Sequence, residues 1–430
     1  MTDVAQRLAE LEDADLRREL RTVGGSQGRR VLLDGREVLL LCSNNYLGLA
    51  NHPAVTQAAA AAARRWGTGA GASRLISGTM IPHEELEAQL ADFHGFDRAL
   101  LFGSGYLANL GTISALAERG RRVYSDELNH ASIVDGCRLA RAETVIYRHA
   151  DVEHLGRLLA QSSKPGDLIV TDGVFSMDGD VAPLREIVAL AQEFGARLLV
   201  DEAHATGTVG PGGRGTVAAA GLEDEVDVIV GTLGKALGSY GAYVCSHADV
   251  AELLINVSRR FIYSTALTPP QVAAAAAALA ILQECPDRTT RLHRNAAHLR
   301  GALADAGLDV SREGAHIVPV MAGESGDAVA LSEQALAHAV YAQAIRPPTV
   351  PAGTARLRLT VMSTHRPSEL TAAALAVGAA AAELGIGAGS DSARAPGPRH
   401  HRSPTASEPR ANAEMERASR TQAPDLGRAA

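Results

Sequence analysis

Two apolar stretches that end in reactive side chains decide the fold: RLLVDEAH, residues 197–204, and VDVIVGTLGK, residues 226–235. Each opens with a short run typical of a buried β-strand. Asp201 and His204 follow the first strand, and Lys235 lies in a turn of small residues after the second. Ligands of open α/β sheets bind beyond the carboxyl ends of the strands. We therefore expect these three side chains to share one edge of a sheet.

An amine, a carboxylate and an imidazole in this arrangement suit pyridoxal 5'-phosphate. That cofactor requires an amine for a Schiff base, an acid beside its pyridinium nitrogen and donors for its phenolic oxygen. Each motif alone is weak, because a strand-end aspartate is often an N-cap and a Gly-Lys pair is often a surface turn. Lys235 is not a phosphate-loop lysine, since Ala236 follows it where that motif has Ser or Thr. The combination favours a cofactor site.

The composition excludes several other classes of protein. The chain has 430 residues, 46% of them hydrophobic, which is enough for a large core and more than one domain. A net charge of −8 without a dense basic stripe argues against nucleic acid as a partner. No apolar stretch has membrane-spanning length and the N-terminus lacks a signal peptide, so we expect a cytoplasmic protein without a membrane partner. The cysteines are far apart, and no metal site is expected: Cys42, Cys137, Cys245 and Cys285.

The pattern along the chain predicts four parts. They are an N-terminal arm and hairpin (1–45), a large cofactor-binding domain (46–285), a smaller C-terminal domain (286–387) and a disordered tail (388–430). Apolar runs that alternate with amphipathic stretches predict a mostly parallel sheet covered by helices on both faces. Helices are expected near the N-terminus and over 58–63, 107–117, 183–194, 270–282, 292–306 and 332–341, with strands near Ile317 and Leu357. The tail is rich in Gly, Ser, Pro and Arg and has too few large apolar residues to form a core.

Several segments resemble the α-oxoamine synthases, which are fold-type-I pyridoxal phosphate enzymes. They are TLGKALG (232–238), SNNYLGL (43–49), GAGASR (69–74) with SGT (77–79), and GVFSMDGD (173–180). The resemblance covers nearly everything from about residue 17 to about residue 384. It implies an α/β fold with a mostly parallel seven-stranded sheet, a smaller α+β C-terminal domain and a homodimer. Enzymes of this family condense an amino acid with an acyl thioester and release carbon dioxide.

The resemblance also implies roles for individual residues. Lys235 would form the Schiff base, Asp201 would pair with the ring nitrogen, and His130 would stack on the ring and contact substrate. The remaining cofactor positions that it implies are His204 and Ser176 at the phenolic oxygen, Thr232 beside the lysine, and Ser264 and Thr265 at the phosphate of the neighbouring subunit. From the residues themselves, Gly105 and Tyr106 open a helix whose N-terminus is suited to a phosphate.

Substrate positions follow from the same resemblance. Asn44 and Arg358 match the pair that holds the amino-acid carboxylate, and arginine suits this because its fork binds carboxylates in bidentate fashion. Arg18 and Thr349 match acyl-substrate positions, although Arg17 and Arg21 lie close enough that any of the three arginines could be a solvated charge.

The segment AIRPPTVP, residues 344–351, is most similar to the biotin-pathway member of the family. That member joins L-alanine to a pimeloyl thioester, carried on coenzyme A or on an acyl carrier protein. A glycine-using C-acetyltransferase is the nearest alternative, and an aminotransferase fits the order of motifs less well. A non-catalytic regulator that binds the same cofactor would need a helix-turn-helix or a basic arm, and the N-terminus offers neither.

Overall fold

The computed structural model describes residues 3–311 and 313–386. All of them belong to one compact unit. The tail predicted over 388–430 lies outside the described residues. Helices and strands alternate along most of the described chain, as the pattern of apolar runs predicts.

The helices are α1 Val4–Asp13, α2 Pro53–Trp66, α3 Ile81–His94, α4 Gly105–Leu116, α5 Ala131–Leu139, α6 Val152–Ser162, α7 Leu184–Phe194, α8 Thr216–Ala220, α9 Ala248–Val257, α10 Arg259–Ile262, α11 Pro269–Glu284, α12 Asp287–Asp305, α13 Ser325–Ala337 and α14 Pro367–Glu383. The strands are β1 Val23–Gly24, β2 Arg30–Leu33, β3 Arg36–Leu40, β4 Arg98–Phe102, β5 Arg122–Asp126, β6 Glu143–Tyr147, β7 Leu168–Asp172, β8 Arg197–Asp201, β9 Val228–Thr232, β10 Ala242–Ser246, β11 Ile317–Gly323, β12 Val340–Tyr341, β13 Gln343–Ile345 and β14 Ala355–Thr360. The helices predicted near the N-terminus and over 58–63, 107–117, 183–194, 270–282 and 292–306 are confirmed as α1, α2, α4, α7, α11 and α12.

A seven-stranded sheet in the order β4-β10-β9-β8-β7-β5-β6 forms the centre of the fold. β10 runs antiparallel to both of its neighbours, β4 and β9. The other neighbouring strands are parallel to each other. The predicted fold class, an α/β protein built on a mostly parallel seven-stranded sheet, is therefore confirmed.

Helices cover this sheet on both faces, which explains the continuous apolar character of its strands. Every residue of β7 and of β10 is buried, as expected for strands that have no solvent-facing side. α7 supplies one of the covering faces. Its buried residues Leu184, Ile187, Val188 and Ala191 recur at the helical spacing that the sequence predicts.

The N-terminal hairpin consists of β2 and β3, which pair antiparallel around a tight turn at Asp34 and Gly35. Both turn residues have positive φ, 49° and 82°, as a two-residue hairpin turn requires. The predicted hairpin is confirmed. It also has a partner distant in sequence, because β12 adds to β3 as a parallel strand.

The pairing of β12 with β3 contradicts one of the helices predicted from sequence. The helix expected over 332–341 is wrong at its end, because α13 stops at Ala337 and residues 340–341 form β12. The edge of β3 supplies the competing hydrogen bonds: the N–H of Leu39 donates to the carbonyl of Ala339 over 2.8 Å. Pairing with a distant strand outweighed local helix propensity here.

The last part of the chain forms a three-stranded antiparallel sheet, β11-β14-β13, in which both predicted strands are confirmed. α12 packs against α14, and α13 packs against β14. The domain boundaries proposed from sequence stay a prediction. Among the described residues, no helix combines the length and the apolar character that crossing a bilayer would require.

Candidate active site

The carboxyl edge of the parallel strands gathers the candidate site. Asp201 is the last residue of β8, and Lys235 lies three residues beyond Thr232, the last residue of β9. β8 and β9 are parallel neighbours in the sheet, with Asp201 beside Val230. Parallel neighbours end at the same edge of a sheet, so the carboxylate and the amine emerge side by side.

Asp201 is buried and held by two hydrogen bonds. The side-chain amide of Asn109, in α4, donates to Oδ2 over 2.6 Å, and the backbone N–H of Ala203 donates to Oδ1 over 2.8 Å. Both donors are neutral. They fix the orientation of the carboxylate without cancelling its negative charge, which leaves that charge to a cationic ligand.

Lys235 is half-buried, and its amine lies in the electrostatic field of Asp201, Asp172 and Arg358. Burial is the largest influence and lowers the pKa of Lys235 from 10.5 to about 8. Asp201 opposes this shift, whereas the positive charge of Arg358 adds to it. A lysine that is partly neutral near physiological pH is a better nucleophile than an ordinary surface lysine.

The turn that carries the lysine is closed by hydrogen bonds and by a close backbone contact. Thr232 Oγ1 donates to the carbonyl of Gly241 over 3.1 Å and accepts from the N–H of Gly234 over 3.2 Å. Gly238 has φ +61°, and a Cβ there would lie 2.4 Å from the backbone nitrogen of Ala50. The small residues of the motif therefore allow the turn to pack directly on the N-terminal part of the chain.

His204 is buried and hydrogen-bonded to Tyr46, a residue to which the sequence assigned no role. Its Nδ1 lies 2.8 Å from the hydroxyl of Tyr46. Burial lowers the pKa of His204 well below its ordinary value, and the positive charges of Lys235 and Arg358 lower it further. His204 is therefore a neutral imidazole at physiological pH.

His130 caps the N-terminus of α5, and its backbone N–H donates to Oδ2 of Asp172 over 2.8 Å. Its Nδ1 accepts from the backbone N–H of Ser132 over 3.2 Å and lies 2.6 Å from Ser132 Oγ. That hydroxyl accepts from the amide of Asn109 over 2.9 Å, so its own hydrogen points to Nδ1. This network assigns the proton of neutral His130 to Nε2. Burial lowers the pKa of His130, against the opposing charge of Asp201.

Arg358, in β14, is buried and joins residues far apart in sequence. Its Nε donates to the carbonyl of Ser176. Nη1 donates to Oδ1 of Asn44 and Nη2 to the hydroxyl of Tyr46, both over 3.3 Å. The structure thus brings together Asn44 and Arg358, the pair singled out for the amino-acid carboxylate.

The N-terminus of α4 faces the same edge of the sheet. Ser104 caps this helix by accepting from a backbone N–H at its start, and Gly105 is the first helical residue. A Cβ on Gly105 would meet nothing within 4 Å, so open space adjoins the helix N-terminus. One turn later, Asn109 bonds to Asp201. The side chain of Tyr106 is 41% exposed, and its hydroxyl donates to Asp135.

Ser264 and Thr265 lie beside the stretch 69–74. Thr265 forms an isolated bridge with Ser73, and the next N–H, of Ala266, donates to the carbonyl of Ala72 over 3.0 Å. Thr265 is exposed and Ser264 is half-buried. Within residues 3–311 and 313–386, neither side chain is hydrogen-bonded to the groups around Lys235.

The three arginines of the N-terminal arm behave differently. The side chain of Arg18 donates to the carbonyl of Pro347 over 3.2 Å, two residues before the exposed Thr349. Arg17 and Arg21 pair instead with glutamates. Among the three side chains, that of Arg18 contacts the loop that carries Thr349.

The structure adds four residues to the candidate site: Tyr46, Asn109, Ser132 and Asp172. Tyr46 lies within a stretch that resembles the family, so its position was a usable signal. Asp172 ends β7 as Asp201 ends β8, and the two are register neighbours. Burial and the nearby charge of Asp201 raise the pKa of Asp172 well above its ordinary value. Asn109 and Ser132 had no sequence signal, because both are small polar residues inside helices.

This donor set fits pyridoxal 5'-phosphate. It offers an amine with a lowered pKa, a carboxylate fixed by neutral donors, two neutral imidazoles and a helix N-terminus beside open space. These are the groups that a pyridinium ring, a phenolic oxygen, an aldehyde and a phosphate require.

A family model, curated relatives and solved structures all indicate the same family for this chain. The family model described as aminotransferase class I and II matches residues 36–377. The chain is 53% identical over 377 residues to 8-amino-7-oxononanoate synthase of Geobacter sulfurreducens, which covers 87% of this chain and 96% of that protein. It is 51% identical over 360 residues to the enzyme of the same name from Anaeromyxobacter dehalogenans, with 83% and 90% covered.

Solved structures of similar fold indicate the same family. A serine palmitoyltransferase from S. paucimobilis with bound PLP superimposes with a TM-score of 0.85 at 35% identity, over 89% of this chain and 97% of that one. An 8-amino-7-oxononanoate synthase from Francisella tularensis gives a TM-score of 0.71 at 27% identity, over 81% and 99%. The chain therefore belongs to the aminotransferase class I and II family, within its α-oxoamine synthase branch.

Proposed function

We propose that this protein is an 8-amino-7-oxononanoate synthase that uses pyridoxal 5'-phosphate. It would join L-alanine to a pimeloyl thioester: the α-carbon of alanine bonds to the thioester carbonyl carbon, the carboxylate leaves as carbon dioxide, and the thiol carrier is released. The observation that carries the proposal is the 53% identity to such a synthase over 96% of that protein's length. The convergence of Lys235, Asp201, His204 and His130 at one sheet edge supports it.

The bound cofactor would supply an electron sink that stabilises negative charge on the α-carbon of the amino acid. In this proposal Lys235 would hold the cofactor, and its Nζ would move the α-proton of the amino acid. Asp201, whose two hydrogen-bond donors are neutral, would hold the ring nitrogen in its protonated form. The neutral His204 and the hydroxyl of Ser176 would hold the phenolic oxygen, and the N-terminus of α4 would hold the phosphate.

Two further groups would bind and orient the substrates. Arg358 is anchored by Ser176 and Asn44, so its guanidinium is held in one orientation for the amino-acid carboxylate. His130 carries its proton on Nε2, which makes it a hydrogen-bond donor toward a substrate oxygen. Arg18 and Thr349 would contact the acyl substrate at the mouth of the site.

We also propose that the protein is a homodimer with a shared site. Ser264 and Thr265 are held beside residues 69–74 and not beside Lys235, and Tyr263 next to them is 70% exposed. A two-fold axis would carry this turn into the phosphate site of the second copy and make the contact reciprocal.

Subunit mixing tests the shared site. Lys235→Ala is mixed with a double variant, Ser264→Ala and Thr265→Ala, under conditions in which tagged chains exchange. In a heterodimer, one site should contain all the substitutions and the other site should contain none. The second of these sites should therefore be active. Exchange without any return of activity would refute the sharing of residues.

Release of free thiol tests the function itself. Purified protein is supplied with L-alanine, glycine or L-serine, each combined with acetyl-CoA, pimeloyl-CoA or palmitoyl-CoA, and Lys235→Ala serves as the control. We expect release with alanine and pimeloyl-CoA. The superposition on serine palmitoyltransferase makes serine with palmitoyl-CoA the second candidate, and glycine with acetyl-CoA would indicate a C-acetyltransferase. A preference for either pair would overturn the proposal.

A further inference from the structure

His149 lies between two carboxylates outside the groups assigned above. It follows β6, and its Nδ1 lies 3.0 Å from Oδ1 of Asp126, the last residue of β5. Its Nε2 lies 2.7 Å from Oδ2 of Asp180, in the loop that follows β7. The ring also meets Phe175 edge to face, with centroids 4.4 Å apart. One imidazole therefore links the end of the central sheet to that loop.

Both contacts require His149 to be charged. A neutral imidazole has a single N–H, so one of its nitrogens would direct a lone pair at a carboxylate. Asp126 is buried and also accepts from the backbone N–H groups of Leu128 and Ala150, which fixes it in place. Burial lowers the pKa of His149, but the hydrogen bonds to Asp126 and Asp180 outweigh it and raise the pKa to about 10.

The far side of the same loop contacts β14. The carbonyl of Ser176 accepts from Nε of Arg358, and Asp178 pairs with Arg356. The loop also packs tightly against β11, because a Cβ on Gly179 would lie 2.7 Å from the carbonyl oxygen of Ile317. Residues 175–180 thus form a bridge, with His149 at one end and Arg358 at the other. We call this segment the bridging loop.

We propose that His149 is a positioning residue that sets the orientation of Arg358 through the bridging loop, and thereby the affinity of the site for the amino-acid carboxylate. Without the imidazolium, the carboxylates of Asp126 and Asp180 would face each other unneutralised. Asp180 is the more exposed of the two and lies in the loop, so it would move away. The carbonyl of Ser176 would shift with it, and Arg358 would lose one of the three hydrogen bonds that orient it. This inference rests on the proposed role of Arg358 in binding the amino acid.

The test measures amino-acid binding in the protein loaded with pyridoxal phosphate, through the change in visible absorbance on titration with L-alanine. His149→Gln removes the positive charge. Asp180→Asn removes only the negative charge of the link to the loop, because its amide oxygen can still accept from Nε2, and it leaves the buried pair of His149 and Asp126 intact. We expect each to weaken binding about tenfold or more, as for a lost charge-assisted hydrogen bond. The double variant should be no weaker than His149→Gln alone, because both act through one contact. Cofactor content should not change.

His247→Gln is the matched control, because His247 pairs with Asp97 at 3.6 Å on the surface. It should bind alanine as the unmodified protein does. Hydrogen exchange over 173–182 should accelerate in His149→Gln and in Asp180→Asn, and not in the control. If His149→Gln does not fold, the alanine affinity of Asp180→Asn is sufficient to test the proposal.

Unchanged alanine affinity in Asp180→Asn would overturn the proposal, and so would equal losses of cofactor and amino-acid binding, which indicate general unfolding. Failure of the proposed function is distinguishable from both results. The unmodified protein would then bind another amino acid in place of alanine, and the same variants would be titrated with that one.

Discussion

Capture of pyridoxal phosphate by the cofactor-free protein should depend on pH through the amine of Lys235. Only the neutral amine attacks an aldehyde. Burial lowers its pKa from 10.5 to about 8. The second-order rate of capture should therefore rise about tenfold per pH unit below pH 8 and level off above it.

The size of the effect follows from the two pKa values. At pH 7, about 9% of an amine with a pKa of about 8 is neutral, against about 0.03% for a pKa of 10.5. The site should therefore hold about 300 times more reactive amine than an ordinary lysine does at this pH. Asp201 opposes the downward shift, so Asp201→Asn should move the profile to lower pH.

The assay is stopped-flow absorbance in the visible range after mixing cofactor-free protein with pyridoxal phosphate between pH 6 and 10. A lysine-containing peptide measured in parallel removes the aldehyde's own titration from the comparison. Lys235→Ala should show no covalent band, which isolates this amine. A rate that keeps rising to pH 10 would place the midpoint near the ordinary lysine value and refute the effect of burial.

Three other predictions concern single residues. Asp201→Asn should slow the exchange of the α-proton of alanine by orders of magnitude, followed by NMR in deuterated water; near-normal exchange would mean that the ring nitrogen has another partner. Lys235→Met should stabilise the cofactor-free protein by up to about 3 kcal/mol below pH 8, where the buried amine is charged, and the gain in the free energy of unfolding should vanish as the pH approaches 10.5. Gly215→Ala should destabilise by about 2 kcal/mol or more, because φ is +104° and the new Cβ would lie 2.6 Å from the carboxylate of Glu202. Its control, Gly301→Ala, lies within α12 with nothing inside 4 Å and should stabilise by about 0.5–1 kcal/mol.

The amino-acid sequence alone determined the architecture and the centre of the candidate site. Apolar runs such as 197–200 and 226–230 are strands because their residues suit burial on both faces, and this depends on local composition. Asp201 and Lys235 could be expected at one edge because parallel strands end together. The helix–strand alternation around them required no knowledge of distant contacts. The helix end that was wrong, at residues 338–341, is where a distant strand competed with a local preference.

Only the tertiary structure decided which polar side chains support that centre. Asn109 reaches Asp201 across 92 residues of sequence, and Arg358 reaches Asn44 across 314. His149 and Asp180 meet because β6 and β7 end at the same edge of the sheet, and each residue lies in the loop that follows its strand. Such partners carry no periodicity and no local motif. Their hydrogen bonds depend on distances of a few ångströms between elements, and packing of the whole core sets those distances.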